Sequence, residues 1–131
     1  MMRRTTFLGR TLLLAGLLTT CGACSRTIEV QVIPYPWVAQ LRPKSADCTV
    51  PIYREGDSVP KTCSDVGDVF VGDTGYTTGC GLDRMLDEVR VQTCLYGADA
   101  AQVMRMQEPS FFGSSCYEIR ARFLKCPASS S

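Results

Sequence analysis

Six of the eight cysteines in this 131-residue chain, at 48, 63, 80, 94, 116 and 126, are spread through its body, and the chain has no histidine. An even set of thiols in a small exported domain reads as a framework of three disulfides. Such cross-links limit the accessible folds more than any other feature of the sequence. The absent histidine removes the commonest acid–base side chain and the commonest metal ligand. Zinc ligation is disfavoured, because no two of the six cysteines form a Cys-x-x-Cys pair. A catalytic cysteine would lack its usual base. No cofactor and no metal are expected.

The remaining two cysteines close an N-terminal leader. Arg3, Arg4 and Arg10 form a basic start, Thr11-Leu-Leu-Leu-Ala-Gly-Leu-Leu18 is a short apolar run, and small and polar residues lead into Cys21-Gly-Ala-Cys24. This is the three-part pattern of a bacterial signal peptide, assigned to residues 1–23. The apolar run falls far short of the ~20 residues of a membrane-spanning helix. Arg3-Arg4 also resembles a twin-arginine export signal one residue out of register, and an ordinary basic start accounts for it.

A cysteine just after the apolar run resembles a lipobox. Cys24 follows Gly22 and Ala23, which suits, although Cys21 occupies the usual aliphatic position. Cys21 has Leu18 in that position but Thr20 directly before it. Cys24 is the expected lipidation site, with Cys21 the alternative, because processing at Cys24 leaves six thiols. Plain secretion after Ala23 is the bland reading. The Cys21/Cys24 spacing also matches a redox motif, but it opens no βα unit, and processing explains it better. Acylation makes the membrane a partner, each buried methylene contributing about 0.8 kcal/mol. Ser25 after the anchor favours the outer membrane.

Residues 25–131 carry 11 Lys+Arg against 13 Asp+Glu, with no basic patch to suggest nucleic acid. They divide into an anchor and tether at 24–46, one compact domain at 47–127 and a frayed tail at 128–131. Within the tether, Ile28, Val30 and Val32 alternate with polar residues at strand-like period. Pro34-Tyr-Pro-Trp37 then imposes extended backbone. Tyr35 and Trp37 are expected to pack on the domain, since large exposed apolar patches are uncommon, and they are also candidate partner contacts.

Residues 48–53 read as a short edge strand, because Pro51 excludes a central position. Residues 66–71 form a second strand. Leu82, Met85, Leu86, Val89, Thr93 and Tyr96 recur at helical spacing, so residues 82–96 are a helix with Gly97 as its stop. Residues 100–106 and 116–126 are two more strands, the last alternating Tyr117, Ile119, Ala121 and Phe123 with Glu118, Arg120, Arg122 and Leu124, a half-buried strand with one wet face. The expected fold is α+β: one helix on a small mixed four-stranded sheet, stapled by disulfides.

Three motifs could carry chemistry. Asp73-Thr-Gly75 after an apolar strand matches the active turn of an aspartic protease, which would need a second carboxylate and so a dimer. A polar turn leaving a strand accounts for the same residues. Asp65, Asp68 and Asp73 do not match a calcium loop and read as solvated acids. Met104 and Met106 fall on one side of a strand and read as core filler.

Across residues 50–126 the chain resembles the RcsF-type envelope lipoproteins. The resemblance rests on Val50-Pro-Ile-Tyr53, Asp65-Val-Gly-Asp-Val-Phe-Val-Gly-Asp73, Gly97-Ala-Asp-Ala-Ala101 and Cys116-Tyr117, in that order. It implies an outer-membrane lipid anchor, non-consecutive disulfides, and a Cys80–Cys116 pair. Cys48, Cys63, Cys94 and Cys126 are left without assigned partners, and the tether is shorter than in that family. The expected function is a non-enzymatic binding or stress-sensing module of the cell envelope with periplasmic or outer-membrane protein partners. The candidate contact surface is Tyr35, Trp37, Glu118, Arg120 and Arg122. An accessory subunit of an envelope assembly is the alternative, and an Asp73 protease the remaining one.

Overall fold

A computed structural model of the chain describes residues 28–73 and 79–128. The leader with Cys21 and Cys24, the Thr74-Gly75 part of the protease-like turn, and residues 129–131 lie outside this range. The elements run β1 (Ile28–Pro34), β2 (Ile52–Tyr53), β3 (Ser64–Asp73), α1 (Leu82–Tyr96), β4 (Ala100–Gln107) and β5 (Glu118–Lys125). They form one mixed sheet, ordered β1-β3-β5-β4-β2, with α1 packed on one face. No helix among the described residues is long and apolar enough to cross a membrane.

The sheet has five strands rather than four. The alternating stretch placed in the tether is an edge strand, paired antiparallel to β3 from Ile28 opposite Asp73 to Pro34 opposite Gly67. Its inward residues Ile28, Val30 and Val32 pack against the core, which gives β1 a reason to stay in the sheet. At the other edge β2 pairs parallel with β4 for two residues, where Pro51 allows it.

The core lies between α1 and the inner sheet face. Val69, Val71, Val103, Ile119, Ala121 and Phe123 meet Met85 and Val89 of the helix. Phe123 stacks on Tyr96 with ring centroids 4.6 Å apart, and the Tyr96 hydroxyl donates to the Val66 carbonyl at 2.7 Å. Burying side chains of this size contributes about 1.5–3 kcal/mol each.

The helix ends as Gly97 predicts. Gly97 has φ 88° and donates its N–H to the Cys94 carbonyl, while the Ala98 N–H reaches the Thr93 carbonyl. These two bonds make a Schellman cap. Residues 35–44 then fold back over this end, where the Lys44 N–H also donates to the Cys94 carbonyl at 2.9 Å.

Three disulfides fix the layers to one another: Cys48–Cys94, Cys63–Cys126 and Cys80–Cys116, with Cα separations of 5.9, 4.1 and 5.3 Å. None joins consecutive cysteines. Cys48–Cys94 ties the approach to β2 onto the helix. Cys63–Cys126 ties the start of β3 to the end of β5. Cys80–Cys116, the pair implied by the resemblance, ties the approach to α1 to the approach to β5.

Asp99 is the polar knot beneath the helix terminus. It accepts from Lys44 Nζ at 2.6 Å, Lys125 Nζ at 3.0 Å and the Cys126 N–H at 3.1 Å. Burial alone would raise this carboxyl; the three donors outweigh it and hold it below the usual carboxylate range. A depressed folded-state pKa gives stability that is fully present above the unfolded value, ~4, and is lost as pH falls through the folded value. The urea midpoint is therefore expected to fall between pH 6 and pH 3, and less steeply in Asp99→Asn. Parallel acid slopes in the two proteins would remove Asp99 from this role.

Candidate binding face

The sheet face opposite α1 has no second layer among the described residues. Its side chains follow from the strand registers. One row across the sheet is Gln31, Phe70, Arg120 and Arg105; the next is Ile33, Asp68, Arg122 and Gln102. Alternation sends these residues outward while Val32, Val69 and Ala121 point into the core.

A bulge in β4 shapes the middle of this face. The register shifts between Val103 and Arg105, so Met104 is an extra residue. A bulge breaks the two-residue period, and Met104 and Met106 part company. Met106 packs on the core. Met104 is 43% exposed and lines a shallow groove of about 350 Å³ with Gln31, Ile33, Phe70, Arg120 and Arg122. The reading of Met104 as core filler is thereby corrected.

At one end of the groove lies a polar cluster. The Tyr35 hydroxyl donates to both Asp68 carboxylate oxygens at 3.0 Å. Arg122 donates to Asp65 through Nη1 at 2.9 Å and to Asp68 through Nε at 3.4 Å. Burial and then the Asp68 hydrogen bond raise the Tyr35 phenol, so it remains a donor at neutral pH. Burial disfavours charge on Arg122, but Asp65 and Asp68 outweigh it and hold the guanidinium protonated. Asp65 and Asp68 are partly solvated strand acids, as expected, and also serve as partners of Arg122.

The middle of the groove is different. Arg120 sits over the Phe70 ring, 5.7 Å from its centroid. Among the described residues neither Arg120 nor Arg105 has a carboxylate at ion-pair distance. Ile33, 51% exposed, lines the same groove as Arg120. The face thus sets apolar surface beside arginines that form no ion pair among the described residues.

Of the sequence-derived contact residues, Arg120 and Arg122 line the groove itself. Tyr35 and Arg122 meet through Asp68, Arg120 lies over Phe70, and Glu118 borders a smaller hollow with Phe70, Arg105 and Gln107. Trp37, expected to pack on the domain, is 76% exposed and contacts the Tyr35 ring, centroid to centroid 4.9 Å. Sequence reasoning missed Ile33, Phe70, Met104 and Arg105. Phe70 was findable: it is a large aromatic in the outward phase of β3, where Asp68 precedes it.

Asp73 ends β3 and accepts from Ser115 Oγ at 3.0 Å. It lies near Cys80 and Cys116, within the span of a metal site. Those two sulfurs are bonded to each other, so no thiolate is available to ligate.

The sequence matches no family model and no curated protein. A solved structure described as the Francisella virulence factor FvfA, in an orthorhombic crystal form, is similar at TM-score 0.52 and 16% identity. The likeness covers 77% of this chain and 100% of that one, and it establishes a shared fold alone.

Proposed function

We propose that the chain is an acyl-anchored lipoprotein of the bacterial envelope, held at the outer membrane through Cys24, and that it acts as a non-enzymatic protein-binding module. The observation that carries the binding role is the uncovered sheet face, where the exposed Ile33 and Met104 share a groove with the half-buried Phe70 and with Arg120 and Arg122. Large apolar side chains in contiguous exposure mark interaction surfaces. Arginine and aromatic residues are the side chains that dominate binding energy at such surfaces. The leader sequence supports the anchor. The three disulfides suit an oxidising compartment. The resemblance to RcsF-type lipoproteins adds stress sensing as the form the binding would take.

A photo-crosslinking residue at Met104, in cells, tests the face. The expected result is a discrete crosslinked protein whose yield drops about 30-fold in Arg120→Glu, the loss of a contact worth ~2 kcal/mol. The same residue placed at Arg84, on the exposed side of α1, is the comparison. Equal capture from Met104 and Arg84, unaffected by Arg120→Glu, would remove the face from consideration. The intact mass of membrane-extracted protein, with acyl groups on Cys24, tests the anchor separately.

A further inference from the structure

The loop between β4 and β5 carries the two most exposed apolar side chains among the described residues. Phe111 is 96% exposed and Phe112 98% exposed, their rings meeting edge to face at 5.2 Å. Neither touches the binding face described above.

The loop is fastened at its base. The Ser110 N–H donates to the Ser114 carbonyl at 3.0 Å, the Gly113 N–H to the Ser110 carbonyl at 3.3 Å, and the Cys116 N–H to Ser114 Oγ at 3.1 Å. Cys116 is then bonded to Cys80. The turn holds both rings outward at its tip. From Pro109 to Tyr117 there is no charged residue.

Its position in the fold supplies the partner. Ile28, where the described chain begins, stands opposite Asp73, and Asp73 accepts a hydrogen bond from Ser115 in this same loop. Gln107 and Glu118, which flank the loop, pair at this same end. The N-terminus of β1 and the Phe111-Phe112 tip therefore share one end of the sheet. Cys24 is four residues before Ile28. Four residues reach at most ~14 Å, enough to cross a headgroup layer of roughly 5–8 Å per leaflet with little chain to spare. A lipid on Cys24 brings this end of the sheet against the membrane, and the two phenylalanines with it.

We infer that the Phe111-Phe112 loop is a second membrane contact, inserting its rings among the lipids beside the acyl chain; this rests on the proposed lipidation of Cys24. Together the two attachments fix orientation. β1 runs away from the membrane, so Tyr35 and Trp37 at its far end point into the aqueous space. With no charge at the tip, the insertion depends on apolar burial.

The test uses the full acylated chain, purified from membranes and reconstituted in zwitterionic phosphatidylcholine vesicles containing acyl-brominated lipid. Phe111→Trp in a Trp37→Phe background places a lone tryptophan on the loop. Its emission is expected to shift to the blue and to be quenched by the bromines, and neither effect should weaken in high salt. The parent protein, with Trp37 alone, is expected to stay red-emitting and unquenched. An acylated, vesicle-retained protein whose residue-111 tryptophan remains red and unquenched overturns the insertion while leaving the anchor in place. An intact mass without acyl groups overturns the anchor, and the insertion with it.

Discussion

Replacing Cys63 and Cys126 together by serine is expected to remove about 4 kcal/mol of stability, the chain-entropy value for a loop of this length. The two residues are 63 apart in sequence, the longest separation of the three pairs. Natural domains are stable by only ~5–15 kcal/mol, so this one change removes a large share of the total. For a domain near 100 residues it corresponds to a fall in melting temperature of roughly 15 °C or more. The consequence reaches the binding face. Cys63 precedes β3 and Cys126 follows β5, and the Asp65–Arg122 ion pair bridges the same strands two residues in from Cys63 and four in from Cys126. With the cross-link gone, the strand ends holding Asp65, Arg122 and, through Asp68, Tyr35 are free to fray. Near-ultraviolet circular dichroism through a thermal melt measures the loss. A midpoint within a few degrees of the parent would mean that the sheet ladder, rather than the disulfide, holds this end.

The pairing of those cysteines illustrates where sequence reasoning stopped. The helix was legible because its apolar residues repeat at 3.6 and Gly97 marks its end. β5 was legible because apolar and charged residues alternate from Tyr117 to Phe123, although Leu124, expected on the wet face, is buried at the end of the strand. In both cases the signal is local. The partnership of Cys63 with Cys126, and of Cys48 with Cys94, follows instead from which strand ends the topology brings together. β3 and β5 are antiparallel neighbours, so the start of one meets the end of the other. Nothing within a few residues of Cys63 encodes that.

The same division explains β1 and the face. The alternation of Ile28, Val30 and Val32 was visible, but its partner lies about forty residues on, so nothing local placed it in the sheet rather than in a tether. The outward phase of β5 at Glu118, Arg120 and Arg122 was visible in the alternation. Their neighbours Ile33, Phe70 and Met104 come from three other strands and appear only once the registers are known. Met104 required more still, since the bulge that turns it outward leaves no mark in the apolar pattern.

Substituting Gly97 by alanine is expected to cost about 3 kcal/mol, more than a left-handed backbone alone explains. Gly56 and Gly97 have almost the same φ, 87° and 88°. At Gly56 an added Cβ meets nothing within 4 Å, so Gly56→Ala carries only the conformational penalty, ~1–2 kcal/mol. At Gly97 the Cβ would overlap the Arg42 carbonyl and come within 3.0 Å of the Leu41 Cβ. Arg42 is backbone, so it can yield only if residues 41–44 move off the helix end. That movement strains the Lys44 N–H bond to Cys94 and the Lys44 contacts with the Ala98 carbonyl and Asp99. Lys44 Nζ would then leave a partly buried carboxylate with one cation fewer. The crossing segment begins at Tyr35, so the loss propagates toward the Asp68 cluster on the opposite side of the sheet. Urea denaturation of the two alanine variants isolates the second contribution as their difference. Amide exchange at residues 38–44 is expected to accelerate in Gly97→Ala and to stay unchanged in Gly56→Ala. Equal costs, with the crossing still protected, would show that residues 41–44 adjust freely and that Gly97 is required only for its φ.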